Sequence, residues 1–197
     1  VASTIAIANM FNIKFFATGG IGGVHLNAEK TYDVSADLYS LAENSNYVIC
    51  SGAKSILDLD KTYEILETLG ITRIGYKTNN MPGFWYPETL NLVDNNFDKV
   101  SDICSFLKMS EQLKQKKSIL IFNKVPNENA LSKEKVSKWI NMAIIKAQKN
   151  KIIGKELTPF LIKEINQSSD NQTLNANVSL IINNANLAGK IAKDFYS

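Results

Sequence analysis

Residues 13–25, IKFFATGGIGGVH, decide the fold because an apolar run passes directly into a cluster of glycines. The β-branched and aromatic residues at 13–17 favour a strand, and the glycines end it. Glycines after a strand let backbone amides approach a phosphate group, and the Thr18 hydroxyl can assist them. The stretch predicts a strand followed by either a phosphate-binding loop or a plain structural turn. Its spacing fits neither the dinucleotide fingerprint nor the P-loop.

Apolar runs alternate with helical patterns along the chain. Further strands are predicted at residues 46–51, 72–76 and 118–122, with helices at residues 1–10, 38–43, 61–69 and 97–112. The last third is helical, with predicted helices at residues 133–149, 158–165 and 174–195. This order predicts the α/β class: an α/β/α sandwich with a largely parallel or mixed central sheet and a helical C-terminal region.

The composition is that of one folded domain, since 45% of the 197 residues are hydrophobic and 21% are charged. The 22 basic and 19 acidic residues leave a net charge of only +3, and Arg73 is the sole arginine. The chain therefore has almost no capacity for bidentate readout of guanine or phosphate by arginine, and we expect no nucleic-acid partner. No apolar run approaches the roughly 20 residues that span a bilayer, so we expect no membrane association.

The cysteines and the single histidine narrow the chemistry further. Cys50 and Cys104 lie in apolar surroundings without CxxC spacing, which predicts buried free thiols and an intracellular, reducing compartment such as the cytoplasm. His25 is the only histidine, so a histidine-rich metal site is excluded.

Lys54 is the residue most indicative of chemistry. It follows an apolar strand and a Ser-Gly-Ala turn, where a lysine contributes nothing to packing. Ligands of parallel α/β sheets gather at the carboxyl ends of the strands, and burial there favours the neutral amine that Schiff-base formation needs. The alternative is a lysine that extends its ammonium group into solvent.

Asp33 and Asp37 flank Ser35 in a short polar segment just before a predicted helix. Two carboxylates four residues apart can share one face of a turn and hold a hard divalent cation through oxygen. One of them can instead cap the helix that follows. The spacing alone leaves both interpretations open.

Three further features have a structural and a functional interpretation. His25, beside the glycine loop, either contacts phosphate or substrate or is a structural histidine. Asn177 and Asn184 are seven residues apart on the last helix and share a face; a carboxamide there either bonds neighbouring backbone or points into a cleft. The aromatic segment 84–86 is more typical of core or lid packing than of base stacking.

Five motifs in chain order resemble the pseudouridine-5′-phosphate glycosidase family, also called indigoidine-synthase-A-like. They are FATGGIGGVH at 16–25, DVSAD at 33–37, SGAKSILDL at 51–59, GKELTPFL at 154–161 and NNA at 183–185. The resemblance runs from end to end of the chain.

The resemblance implies a lyase-type glycosidase of pseudouridine catabolism. Such an enzyme reversibly cleaves the C–C glycosidic bond of pseudouridine 5′-phosphate to uracil and ribose 5-phosphate, with Mn²⁺ or another divalent cation. Lys54 would be the nucleophile that holds C1′ of the opened ribose as a Schiff base, which agrees with the interpretation from its position. The alternative is a non-catalytic phosphosugar-binding or scaffolding relative.

Family resemblance also assigns the other site residues. Asp33 would bind the metal directly or through waters, while Ser35, Ala36 and Asp37 would line the sugar-phosphate pocket. The substrate-binding set is completed by Asn177, which would reach the base or sugar, and by Val1, Thr18, Gly19, Gly20 and His25.

The same resemblance makes residues 1–197 the C-terminal two-thirds or so of a single glycosidase domain that assembles as a homotrimer. The family's upstream region supplies a glutamate proton donor and a lysine that contacts substrate. We therefore expect this chain to be inactive alone. We also expect the upstream segment to belong to the complete molecule, either covalently or as an associated fragment.

Overall fold

The computed structural model describes residues 1–197, the side chain of Lys155 excepted. One sheet contains β1 (Phe15–Ala17), β2 (Tyr47–Cys50), β3 (Thr72–Tyr76), β4 (Asn95–Phe97) and β5 (Ile119–Phe122). The strands lie in the order β1-β2-β5-β3-β4, and each neighbouring pair is parallel. The predicted parallel sheet is confirmed.

Eight α-helices surround this sheet within the described chain. They are α1 (Ala2–Met10), α2 (Ala28–Thr31), α3 (Ala36–Glu43), α4 (Leu59–Thr68), α5 (Val100–Gln112), α6 (Lys133–Lys149), α7 (Leu157–Ser168) and α8 (Gln172–Tyr196). Side chains cap several of them: Asp58 accepts the Lys61 amide at the start of α4, and Ser132 accepts the Lys135 amide at the start of α6.

Alternate side chains of the central strands enter two separate apolar clusters. Ile49 and Ile121 pack with side chains of α5 and α8. Val48 and Leu120 pack with side chains of α1, α3 and α4 on the other face. Because successive residues of a strand point to opposite faces, the sheet lies between two helical layers. The predicted α/β/α sandwich is confirmed.

The edge strand β4 differs from the sequence prediction, which placed no strand there and began a helix at residue 97. Its Asn95 and Asn96 are exposed, and α5 begins only at Val100. Pairing with β3 and a nearby ion pair hold the strand, since Asp94 accepts from the Arg73 backbone amide and guanidinium at 2.8 Å and 2.7 Å. A strand held by these polar contacts shows no alternation of apolar residues in its sequence, so it could not be predicted from that pattern.

The loops after β1 and β2 are joined by backbone hydrogen bonds. Ser51 donates to the Gly19 carbonyl at 2.9 Å, Ile21 to the Gly52 carbonyl at 3.0 Å, and Lys54 to the Ile21 carbonyl at 3.1 Å. The sheet is thereby extended past the strand ends by an isolated parallel bridge between residues 21 and 53. The glycine loop and the lysine turn consequently form one rigid unit.

Both cysteines are buried and unpaired, as predicted. Burial raises the pKa of the Cys50 thiol to about 12, so the thiol is protonated at neutral pH. In the part of the chain that the structure describes, no helix is both long enough and apolar enough to cross a membrane.

Candidate active site

A cleft of about 290 Å³ opens at the carboxyl ends of β1 and β2. Six residues singled out from the sequence line it together, namely Val1, Thr18, Gly19, Gly20, Lys54 and Asn177. Its remaining walls are largely apolar, formed by Ile56, Phe84, Trp85, Ile162 and Ile181. An apolar cleft with a few converging polar groups at this edge of a parallel sheet is typical of a ligand site.

A slightly larger hollow, about 350 Å³, lies at the opposite end of the parallel strands. Its lining includes Lys14, Asn46 and Tyr47, at the amino ends of β1 and β2, together with Glu111. Strand amino ends are not where parallel α/β sheets bind ligands. We therefore take the cleft beside Lys54 as the candidate site.

Lys54 is held by backbone bonds on both sides. Its amide donates to the Ile21 carbonyl at 3.1 Å, and its carbonyl accepts from the Leu57 amide at 3.0 Å. The residue is half-buried between the buried Ala53 and Ser55. None of the ion pairs among the described side chains involves Lys54, so no carboxylate draws its amine away from the cleft.

The turn before Lys54 requires glycine at position 52. Gly52 has a φ of +90°, and a Cβ there would collide with the Pro82 carbonyl oxygen. That same oxygen accepts a hydrogen bond from the Tyr63 hydroxyl at 2.8 Å. Burial raises the pKa of the Tyr63 hydroxyl, so it remains a protonated donor. The close approach packs the loop after Pro82 against the lysine turn.

The aromatic segment 84–86 forms part of the cleft wall. The Phe84 amide donates to the Ser51 carbonyl at 3.0 Å, and the Ser55 hydroxyl donates to the Gly83 carbonyl at 2.6 Å. All three aromatic residues are buried, with Trp85 only 2% exposed. The sequence indicated packing for this segment but did not reveal that two of its rings line the site.

Asp37 holds the glycine loop from behind. Its buried carboxylate accepts the Gly22 amide at 2.7 Å and the Ala2 amide at 2.8 Å. A Cβ on Gly22 would collide with the Ser35 hydroxyl, so the loop needs glycine to approach this closely. Asp37 therefore links α1 to the loop and does not line the cleft itself.

Ser35 resolves the question of which residue caps α3. Its hydroxyl accepts the Asp37 amide at 3.2 Å, and its own amide donates to the Gly23 carbonyl at 2.9 Å. Ala36 is the exposed first residue of the helix. Ser35 and Asp37 contact the glycine loop, whereas Asp33 lies outside the helix.

His25 and Asp33 line a neighbouring hollow of about 750 Å³, together with Gly154, Leu157 and Thr158 of the fourth sequence motif. The His25 amide donates to the Asp33 carbonyl at 3.0 Å, and the imidazole Nδ1 lies 3.9 Å from a carboxylate oxygen of Asp33. Eight of the predicted site residues are thus divided between two hollows, and the other three, Ser35, Ala36 and Asp37, line neither of them.

The described side chains around Asp33 do not form a protein cage for a metal ion. Among the described residues, no three His, Cys, Asp or Glu side chains converge on one point. The carboxylate of Asp37 already accepts hydrogen bonds from two backbone amides. The carboxylate available to a cation is therefore that of Asp33, whose side chain is 41% exposed to water. A divalent ion there would take most of its oxygen ligands from water.

Asn184 and Asn177 take different roles on the same face of α8. Asn184 is fully buried; its Nδ2 donates to the Thr18 carbonyl at 2.8 Å and to the Ser51 hydroxyl at 3.0 Å. Its Oδ1 accepts from Asn123 Nδ2 at 3.1 Å. Asn177 instead lines the cleft. The sequence left open whether these asparagines bond neighbouring groups or face a cleft. Asn184 does the first and Asn177 lies at the cleft.

The family described as "Indigoidine synthase A like protein" matches residues 1–194. The chain belongs to this family. A pseudouridine-5′-phosphate glycosidase from Petrotoga mobilis is 46% identical over 99% of this chain and 64% of its own length. The enzyme of that name from Escherichia coli K12 is 41% identical over 99% of this chain and 62% of its own. The chain spans 62% to 65% of the length of such curated relatives.

Solved structures of the family share the fold closely. The prealnumycin C-glycosynthase AlnA, crystallised in complex with ribulose 5-phosphate, superposes with a TM-score of 0.92 at 31% identity. The matched part covers 99% of this chain and 64% of AlnA. An indigoidine synthase A-like protein from Thermotoga maritima superposes with a TM-score of 0.87 at 31% identity, covering 96% of this chain and 62% of the other.

Proposed function

We propose that the protein cleaves and forms the C–C glycosidic bond of pseudouridine 5′-phosphate, with uracil and ribose 5-phosphate as the other reactants. The observation that carries the proposal is the cleft that brings Lys54 together with Thr18, Gly19, Gly20 and Asn177. Relatives named for this activity, at 46% and 41% identity, support the choice of substrate. So does AlnA, a C-glycosynthase that binds a pentose 5-phosphate.

Lys54 acts as the nucleophile in this proposal. Its neutral amine bonds C1′ of the ribose as the bond from C1′ to the ring oxygen breaks and that oxygen takes a proton. The nitrogen lone pair then forms an imine with C1′ and expels uracil, whose C5 receives the electron pair and a proton. Water hydrolyses the imine to ribose 5-phosphate and regenerates Lys54. The family resemblance assigns the proton donor to a glutamate upstream of residues 1–197.

The glycine loop binds the phosphate in this arrangement. Gly19 and Gly20 lie at the cleft beside the Thr18 hydroxyl, where backbone amides can approach an anion without interference from side chains. Ser35 and Asp37 support the loop from behind and so shape the sugar-phosphate pocket through it, while His25 borders the neighbouring hollow. Asn177 and Val1 contact the base or sugar.

Asp33 would hold a divalent cation such as Mn²⁺, directly or through waters. When bound, the cation would supply positive charge that attracts phosphate and sugar oxygens. The backbone bond from the His25 amide to the Asp33 carbonyl, 3.0 Å long, holds the two residues side by side.

The complete enzyme is a homotrimer whose turnover also needs the part of the relatives that this chain does not cover. Residues 1–197 match less than two thirds of those relatives. Apolar side chains at the end of α1 support this assembly, because another chain or segment can cover them. Met10 is 77% exposed and Phe11 is 69% exposed.

Borohydride trapping tests the proposal. The full-length protein is incubated with ribose 5-phosphate and borohydride, digested and analysed by mass spectrometry, and uracil-dependent synthesis of pseudouridine 5′-phosphate is followed by chromatography. We expect one reduced adduct, on the peptide that contains Lys54, together with turnover. Binding of ribose 5-phosphate without adduct or turnover would instead identify a non-catalytic phosphosugar-binding relative.

A further inference from the structure

The indole of Trp85 fixes which way the carboxamide of Asn177 faces. Trp85 Nε1 lies 2.7 Å from Asn177 Oδ1. An indole N–H is a donor only, so the atom it meets must be the carboxamide oxygen and not the nitrogen. If the carboxamide were turned over, the two N–H groups of Asn177 would face the indole N–H of Trp85, and these donors would repel each other. The orientation of Asn177 therefore follows from the chemistry of its neighbour.

The consequence is that Asn177 presents hydrogen-bond donors to the cleft. Oxygen and nitrogen lie on opposite sides of a planar carboxamide, so an oxygen held by Trp85 leaves Nδ2 on the other side. Asn177 is half-buried and shares the cleft with Lys54 and Thr18. Within the described part of the chain, the hydrogen bond formed by its side chain is the one from Trp85. Both N–H groups thus remain available to a ligand.

Trp85 is itself held firmly enough to act as a fixed donor. It is 2% exposed, and its ring packs against Phe84 with centroids 5.4 Å apart. Its amide donates to the Gly83 carbonyl at 3.0 Å, and its carbonyl accepts from Leu131 at 2.8 Å. A buried ring with a bonded backbone cannot turn to follow the carboxamide.

We propose that Trp85 is a positioning residue that orients Asn177 as a pure donor, so that this wall of the cleft selects ligands carrying a hydrogen-bond acceptor. The inference rests on the proposed function, under which that acceptor is a carbonyl oxygen of the pyrimidine base. Trp85 acts through Asn177 and needs no contact with the reacting atoms.

A double-mutant cycle in the full-length protein tests the inference. Trp85→Phe keeps the ring and removes the N–H, and we expect it to raise the KM for uracil about three- to tenfold, the effect of one neutral hydrogen bond. In an Asn177→Ala background the same substitution should change KM less than twofold. Trp139→Phe, at the other tryptophan, serves as the matched control and should leave KM unchanged. Equal effects of Trp85→Phe in both backgrounds would overturn the proposal.

Asn177→Asp distinguishes the two orientations directly. A carboxylate can still accept from Trp85, but it presents an acceptor to the cleft in place of donors. We expect it to raise the KM for uracil above that of Asn177→Ala. If Asn177 instead offered its oxygen to the ligand, Asn177→Asp would bind uracil better than Asn177→Ala.

A spectroscopic measurement keeps the inference testable even if the proposed function fails, which an absent Lys54 adduct would reveal. In ¹⁵N-labelled protein, the indole N–H signal of Trp85 is assigned by its loss in Trp85→Phe. We expect Asn177→Ala to shift this signal and to speed its exchange with solvent, and Asn177→Asp to preserve its protection. A signal indifferent to Asn177→Ala would overturn the proposal.

Discussion

Lys54 shows how a single side chain can be placed by backbone contacts alone. Its amide and carbonyl are both bonded within neighbouring loops, and its side chain reaches a cleft with apolar walls. No ion pair with a described side chain is needed to place the amine at the cleft. The sequence pointed to this position because a lysine after a buried strand and a glycine turn has no packing role.

Lys54→Arg tests whether that amine is the nucleophile. Arginine keeps the positive charge and most of the length but cannot form an imine under these conditions. We expect turnover and borohydride trapping to fall by a factor of at least about 10³, with a thermal midpoint close to that of the parent. Lys61→Arg, at an exposed ion pair with Asp58, is the control and should retain activity. Substantial turnover by Lys54→Arg would reject the assigned role.

Asp37→Asn tests the support behind the glycine loop. A carboxamide can accept one of the two amides that Asp37 now accepts, from Gly22 and Ala2, and it turns a donor towards the other. We expect a loss of about 2 kcal/mol in the free energy of unfolding, measured by denaturant titration, because hydrogen bonds to a charged group are involved.

Asp33→Asn is the matched substitution. The side chain of Asp33 is 41% exposed, so stability should stay within about 0.5 kcal/mol of the parent. Stimulation of turnover by Mn²⁺ should disappear, since the acidic ligand is lost. A strongly destabilised Asp33→Asn, or one that still responds to Mn²⁺, would contradict the division of roles between the two aspartates.

At the scale of elements, α8 is the helix that gathers the site. The carboxamide of Asn184 joins it to residues that follow β1, β2 and β5, the three adjacent strands at one side of the sheet. About one and two helical turns earlier, Ile181 and Asn177 of the same helix line the cleft. The Asn184 bonds therefore set the position of α8 relative to the strand ends.

Asn184→Ala tests this anchor. The substitution leaves the Thr18 carbonyl, the Ser51 hydroxyl and the Asn123 carboxamide buried with one partner fewer each. We expect a loss of about 2 to 4 kcal/mol in the free energy of unfolding, together with a higher KM, because α8 can then shift. Asn186→Ala, at an exposed position of the same helix, should change stability by less than about 0.5 kcal/mol. Similar stability losses in the two variants would argue against an anchoring role.

Most helices and the central strands could be predicted from the sequence because the apolar and turn residues that define each of them lie within its own stretch of chain. The 118–122 run is one serine followed by four apolar residues, and those four form β5 (Ile119–Phe122), which is buried on both faces. The edge strand β4 could not be predicted, because Asn95 and Asn96 are polar and belong to no apolar run. They form a strand by pairing with Ile74 and Gly75 of β3. The same limit held at α2, a single turn within a polar segment.

At the scale of the whole molecule, the described chain carries apolar side chains that its own fold does not cover. At the end of α1, Ile7 is 56% exposed and Met10 is 77% exposed. On α8, Val178 and Ile182 are 51% and 55% exposed. The proposed assembly would bury such side chains against another segment or subunit.

Sedimentation of the full-length protein tests the proposed assembly. We expect a single species with three times the mass of one chain, unchanged over at least a tenfold range of concentration. A species with the mass of one chain throughout that range would reject the homotrimer, whatever the outcome of the activity assays.

The sequence by itself determined the α/β class, the strand that carries the glycine loop, and the lysine after the second strand, because apolar runs and turn residues are local properties. Only the tertiary structure decided that Lys54 and Asn177 share one cleft while His25 and Asp33 border another. It also decided that Asn184 anchors α8 and that Trp85 orients Asn177. The bond from Trp85 to Asn177 joins residues 92 positions apart, and the bond from Asn184 to Thr18 joins residues 166 positions apart; no local pattern encodes contacts at such separations.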